Sequence, residues 1–384
     1  MNSVSSWHRH CPVCATSQAK ALYTNTMATI DGLDMSYVVS RCDNCGFHFA
    51  SNLPSPDTYS QYYRRLSKYD LPATVPSSLE QQRATHTLNI CRPFLTRNAV
   101  IADIGCGNGT LLAHFHHSGF SALHGLDPAP QAATALGIAK IYQGGIQDAP
   151  SNLPLANLNL LCLTGVLEHL PNLRLDMAAL LGKLPPTAKV LVEVPALEQF
   201  RSQDSEPFGE FSLEHIQYFS RISLANFMSN LGYGELAFDR TPLDGASDSL
   251  FALFGRGSGQ ALRIDDSAPQ IESYIEKSTV AWNAALAKIA KTIQSDFFIY
   301  GAGSHTARLI PQLHRLDPQA KLRGIVDSNL NLQGKYLAEY PIASPDWLNR
   351  HPDCPILISS YRAQEAIAKG LKDSGIPNQV IRMY

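Results

Sequence analysis

Val100-Ile101-Ala102-Asp103-Ile104-Gly105-Cys106-Gly107-Asn108-Gly109 decides the fold of this chain. An apolar run closes on an acidic residue and then on glycines at alternate positions. A second apolar run, Ala122 to Leu126, closes on Asp127 and Pro128. A buried strand, a turn too tight for side chains, a helix and a second strand carrying a carboxylate give this pattern. The glycines let the backbone approach a ligand closely, and Asp127 can accept hydrogen bonds from two ribose hydroxyls. This is half of a nucleoside-binding site.

The glycine spacing selects the nucleoside. A dinucleotide fingerprint, G-x-G-x-x-G, needs glycine at position 110, where Thr110 stands. The pattern D-x-G-x-G-x-G instead resembles motif I of class I S-adenosylmethionine-dependent methyltransferases. The resemblance implies that the loop carrying Asp103, Gly105, Cys106, Gly107 and Asn108 passes the methionine end of the cofactor, and that Asp127, with Pro128 beside it, holds the ribose. Further pieces follow in that family's order. Gly144-Gly145-Ile146-Gln147-Asp148 falls where such enzymes contact adenine, which implicates Gly145 and Ile146. Leu158 to Leu163 reads as a fourth strand, ending beside Thr164. Gly165-Val166-Leu167-Glu168-His169-Leu170 resembles the family's next segment, in which Leu167 and His169 help shape the cofactor pocket. Val190 to Val194 reads as a fifth strand. The competing reading is a generic α/β domain with a glycine turn.

At 384 residues the chain is too long for one ordinary domain. An apolar fraction of 45% suffices for packed cores. A net charge of −2 without long charge runs gives no electrostatic reason to expect nucleic acid or a membrane surface. No apolar segment approaches the roughly 20 residues that span a bilayer. Met1 to His10 is polar and lacks a signal-peptide core. The expectation is a soluble cytoplasmic protein, monomer or homodimer, acting on a small molecule.

Two cysteine pairs stand near the N-terminus, Cys11-Pro12-Val13-Cys14 and Cys42-Asp43-Asn44-Cys45. In a reducing compartment, paired C-x-x-C predicts a tetrahedral zinc site, since each pair presents two thiolates from one knuckle. Four sulfur ligands leave no open position, so this zinc is structural. Two disulfides are the competing reading, disfavoured by the missing export signal.

Three domains are expected: a zinc-binding unit over 1–60, an α/β unit with a seven-stranded Rossmann-like sheet over 61–255, and a smaller Rossmann-like α/β unit over 256–384. The middle unit is entered through a helix near Leu79 to Leu95 and completed by strands near Glu235 to Asp239 and Leu250 to Phe254. A break at Gly255-Arg256-Gly257-Ser258-Gly259 precedes a long helix, Gln270 to Gln294. The last unit repeats the opening theme. Phe297 to Tyr300 runs into Gly301-Ala302-Gly303, and Leu322 to Val326 ends at Asp327. Binding of NAD, contact with a nucleotide-sugar, and plain structural support are the three readings of that repeat.

The layout of zinc knuckles, class I methyltransferase and smaller α/β domain resembles the sugar C-methyltransferases of deoxysugar pathways. Those enzymes methylate carbon beside the keto group of a dTDP-linked sugar. Glu210-Phe211-Ser212-Leu213-Glu214-His215-Ile216-Gln217-Tyr218-Phe219-Ser220 is similar to that family's E-H-x-x-x-F-S segment, whose histidine is the proposed base. The resemblance therefore implies a keto-sugar acceptor and His215 as general base. Glu214 would fix its tautomer or contact a substrate hydroxyl. Tyr218 and the Tyr62/Tyr63 pair are candidates for substrate contact. A histidine suits proton abstraction because its pKa lies near neutrality. The chain departs from the family at Ala246-Ser247-Asp248-Ser249-Leu250, which keeps only Ser-Leu of a glycine-glycine-serine-leucine run. A methyltransferase acting on oxygen or nitrogen of a glycan or natural product is the second reading, and a nicotinamide-dependent oxidoreductase the third.

Overall fold

The central sheet aligns seven strands in the order Tyr233–Thr241, Ser249–Arg256, Lys189–Pro195, Leu160–Thr164, Ile101–Ile104, Leu123–Asp127 and Lys140–Gln143. Ser249–Arg256 runs antiparallel to both neighbours, and the other pairings are parallel. Apart from Asp103 and Thr164, the inner strands Ile101–Ile104 and Leu160–Thr164 are apolar, and they are buried on both faces, as parallel strands covered by helices must be. The sheet is the expected α/β architecture. Its order reverses between Ile101–Ile104 and Leu160–Thr164. At such a reversal the connections leave in opposite directions, and a crevice opens outside the C-terminal strand ends.

This computed structural model describes residues 7–66, 76–200, 205–243, 247–257, 259–313 and 321–384. Ala246 and the side chain of Tyr63 fall outside the described residues.

A second sheet precedes the central one. Trp7–His8, His48–Leu53, Tyr37–Cys42 and Ala19–Asn25 pair antiparallel in that order. A fifth strand comes from far along the chain: Gln217–Tyr218 pairs with His48–Leu53, setting Gln217 opposite Phe49. The segment carrying Glu214 and His215 is therefore sewn into the cysteine-bearing sheet.

The third sheet runs Tyr336–Leu337, Tyr340–Ala343, Leu322–Val326, Phe297–Tyr300, Ile356–Ile358 and Val380–Arg382. It is parallel except for its first hairpin. The long helix spans Ala268–Thr292, close to expectation, with Ile271, Tyr274, Ser278, Trp282, Ala285 and Ile289 buried at helical spacing. One apolar core joins the first and third sheets through Tyr37, Phe211, Tyr218, Tyr274 and Ile299. Backbone bonds reinforce it: the Ala28 N–H donates to the Ala307 carbonyl, and the Ala338 N–H to the Thr29 carbonyl, each at 2.7 Å. No described helix is long and apolar enough to cross a membrane.

Candidate active site

The glycine loop lies over the reversal point. Gly105 has φ of +76°. A Cβ there would stand 2.8 Å from the Val166 side chain, so only glycine lets the two loops at the crevice meet. Asp127 anchors the loop from the neighbouring strand. Its Oδ2 accepts from the Gly107 N–H and its Oδ1 from the Ala129 N–H, both at 2.8 Å. Asn108 is fixed on both ends, donating to Glu80 and accepting from Thr110. Asp103 is buried, with Oδ1 lacking a hydrogen-bond partner. Burial, and then the Asp127 charge, push its carboxyl up to about 8. Gly145 donates to Asp148 at 2.6 Å, and Ile146 is half-buried beside it. The orphaned Asp103 oxygen, the anchored loop and the Asp127 carboxylate at the strand end fit a nucleoside with a charged amino-acid tail.

Two of the expected cofactor contacts present no side chain to the crevice. Leu167 is wholly buried in the core beneath the crevice, so its side chain does not line it. Cys106 turns its sulfur inward, to 2.8 Å from where a Cβ on Gly125 would stand, and fills space. Thr164 and His169 are half-buried at the rim, and Pro128 is exposed.

Across the loop from Gly105, a polar cluster collects. His169 Nδ1 lies 3.2 Å from the Glu214 carbonyl, and its Nε2 lies 3.8 Å from Glu168 Oε1. The His169 and His215 rings meet edge-on with centroids 4.9 Å apart. Tyr62 donates its hydroxyl to Glu214 Oε1 at 2.9 Å, so Tyr62 belongs to the site from the first segment of the chain. Behind them, buried Glu193 pairs with Arg83 Nε at 3.2 Å. Burial, and then the Glu193 charge, push the Glu168 carboxyl up to about 8. His215 is half-buried at the open edge of this cluster.

The segment bearing Glu214 and His215 has little structure of its own, and three devices hold it. Ser212 Oγ accepts from the N–H groups of Glu214 and His215 at 3.3 and 3.1 Å. Buried Arg9 donates to the carbonyls of Ala50, Pro171 and Ile216 and to Gln217 Oε1, at 2.6 to 3.1 Å. Burial lowers this guanidinium to about 10, which leaves it charged at neutral pH. From the third sheet's side, buried Arg308 donates to the Phe211 carbonyl, and to Asn25 Oδ1 at 3.2 Å. Tyr218 corrects the sequence expectation: it is fully buried, and its hydroxyl donates to the His215 carbonyl at 2.9 Å. Its place is behind the histidine rather than at the acceptor. Ser220 is the N-cap of the Arg221–Asn230 helix, so His215 stands outside that helix.

Cys11, Cys14, Cys42 and Cys45 bring their sulfurs within 4.8 Å of one another. Cys11 to Cys45 is 3.6 Å and Cys14 to Cys42 is 3.4 Å. Sulfurs about 2.3 Å from a tetrahedral zinc stand about 3.8 Å apart, whereas a disulfide needs about 2 Å. The set fits zinc, and no disulfide forms among these cysteines.

Arg9, Arg83, Glu193 and Arg308 brace the candidate site, and sequence reasoning missed them. Each acts on main chain or side chains far away in sequence, and no local motif announces it.

Residues 79–234 match the sequence model of a family described as a methyltransferase domain (Methyltransf_23). That segment contains both the glycine loop and His215. A comparison with curated proteins found no match. Among solved structures, the chain is similar to 1,6-didemethyltoxoflavin-N1-methyltransferase of Burkholderia thailandensis, at 15% identity and a TM-score of 0.39, over 56% of this chain and 98% of that one. It is also similar to magnesium protoporphyrin IX methyltransferase of Synechocystis, at 13% identity and a TM-score of 0.38, over 52% of this chain and 99% of that one.

Proposed function

We propose that this S-adenosylmethionine-dependent methyltransferase methylates carbon beside a carbonyl in a small acceptor, a dTDP-type keto-deoxysugar, with His215 as general base. The observation that carries the reading is the half-buried His215 at the mouth of the glycine crevice, backed by Glu214, His169 and Glu168. When bound, the sulfonium supplies an activated methyl group, and the protein needs only to align the acceptor and raise its nucleophilicity.

Asp127 and the Gly107 region would hold the nucleoside, and Asp103 would face its charged tail. His215 would take the proton from the acceptor carbon as the carbon–hydrogen pair moves into the enolate. Tyr62, through its bond to Glu214, would keep that carboxylate oriented beside the histidine. Tyr218 and Arg9 would act as positioning residues, since each touches the backbone of the segment rather than the crevice. The four-cysteine set would hold structural zinc and stiffen the sheet into which Gln217–Tyr218 is paired.

The test is proton exchange. A dTDP-linked keto-sugar incubated in deuterated water should take up deuterium at the carbon beside its carbonyl with the wild-type enzyme and not with His215→Ala. Both proteins should bind S-adenosylhomocysteine. A methyl group that ends on oxygen or nitrogen, with no exchange at carbon, would replace this reading by the glycan or natural-product one.

A further inference from the structure

Glu168, His169 and His215 bring one carboxylate oxygen and two imidazole nitrogens within 4.8 Å of one another. Two observations say more than proximity. The Glu214 carbonyl, 3.2 Å from His169 Nδ1, can only accept, so that nitrogen carries the ring proton. The lone pair then sits on Nε2, which faces Glu168 Oε1 at 3.8 Å. An imidazole whose far N–H is spent on a backbone carbonyl is the form in which proteins offer histidine to metals. Second, Glu168 is only 2% exposed, and its Oε2 has no hydrogen-bond partner.

We propose that Glu168, His169 and His215 form a second, exchangeable site for a borderline divalent cation such as zinc or cobalt, and that its occupancy silences methyl transfer. Two nitrogens and one oxygen favour such ions over magnesium or calcium. Three protein ligands leave one position open, unlike the closed cysteine set. Ligand atoms about 2.1 Å from a tetrahedral ion stand about 3.4 Å apart, so the cluster must contract by roughly 1 Å. Small side-chain rotations of Glu168 and the two histidines would supply that movement. Binding rests on the geometry alone; silencing rests on the reading of His215 as base, because a metal-bound nitrogen has no lone pair left for a proton.

The experiment titrates the full chain, its cysteine site loaded with zinc, with cobalt and follows the visible spectrum. One cobalt per chain should bind, with weak ligand-field bands and without the intense thiolate charge-transfer absorption of a cysteine site. Glu168→Gln and His169→Gln should each weaken it at least about tenfold. Retained zinc content and far-ultraviolet circular dichroism should show that both variants are folded. No cobalt uptake, uptake only with thiolate bands, or equal affinity in both folded variants would overturn the site and leave His215 as the base. Cobalt bound as described while deuterium exchange into the acceptor continues undiminished would overturn the silencing and the base assignment together.

Discussion

The chain builds the same turn twice and furnishes it differently. In the central sheet, Asp127 accepts from the Gly107 and Ala129 N–H groups. In the third sheet, Asp327 accepts from the Ala302 and Asn329 N–H groups at 2.7 and 2.8 Å. Each acid closes a strand, clasps the neighbouring loop and ties its own following turn. The difference lies across the crevice. Opposite the first loop stand half-buried Thr164, Gly165 and His169, with the polar cluster behind them. Opposite the second, a Cβ on Gly301 would meet the Ser359 carbonyl at 3.0 Å. The Ser359 hydroxyl and the Tyr384 hydroxyl sit on the two nitrogens of buried His305, both at 2.8 Å. The Trp282 ring leans edge-on against that imidazole. Burial, and then Arg308, lower His305 to about 3, so it stays neutral at physiological pH. One turn faces titrating groups and the other a neutral, packed plug. A glycine loop with an acid on the next strand therefore specifies a turn, and its surroundings decide whether it serves chemistry.

The sharpest way to break this contrast is to remove each acid. Asp127→Ala should weaken S-adenosylhomocysteine binding by about 100-fold, the worth of two charge-assisted hydrogen bonds. Asp327→Ala should change that affinity by less than about twofold, as distant sites do. Calorimetric titration of both variants decides it, and equal losses would make the two crevices equivalent.

Arg308 tests whether the plugged unit still serves the open one. Arg308→Lys removes the bonds to the Phe211 carbonyl and Asn25, and should destabilise the chain by about 1–3 kcal/mol in denaturant unfolding. It should slow deuterium exchange at the acceptor while leaving S-adenosylhomocysteine affinity in place. Unchanged exchange would reduce the third unit to a passive neighbour.

His305→Gln should cost about 1 kcal/mol of stability through weakened contacts to Ser359 and Tyr384, with cofactor affinity again unmoved. A gain of NAD binding in that variant would mean that the plug hides a cofactor site.

The last test concerns pH. Asp103 ordinarily titrates at 3.8, but in the fold its carboxyl is held protonated up to about 8. The folded state therefore keeps a proton that the unfolded chain has released. That contribution to stability is full below the ordinary value and disappears as pH rises through the shifted one. Asp103→Asn should flatten the decline between about pH 5 and about pH 8, read by denaturant unfolding at each pH. An unaltered slope would place the effect elsewhere.

Much of this was legible in the sequence because it is local. Strands near 101, 123, 160, 190, 297 and 322 announce themselves as apolar runs ended by turn residues, and all of them form. The cysteine knuckles and the segments carrying His169 and His215 are equally local signals, and the structure gathers the four sulfurs and sets the two rings edge-on. What escaped is non-local. Nothing around Trp7 to Arg9 says that a guanidinium will reach the Ile216 carbonyl, because backbone acceptors carry no sequence signature. Tyr218 looked like a substrate contact because aromatic hydroxyls near a base suggest one. Its strand pairing with His48 instead turns it into the interior. Leu167 is a similar case: a side chain within a motif next to the crevice still faces the core.

The pairing of Gln217–Tyr218 with His48–Leu53 also sets an order of assembly. On a ribosome, the cysteine knuckles emerge before Gln217–Tyr218, and their sheet waits with one edge unsatisfied until the central sheet has largely been made. An exposed edge of this kind is a template for wrong partners. Early capture of metal would hold that edge in register during the wait, so a metal-starved cell should accumulate aggregated chains rather than folded, inactive ones.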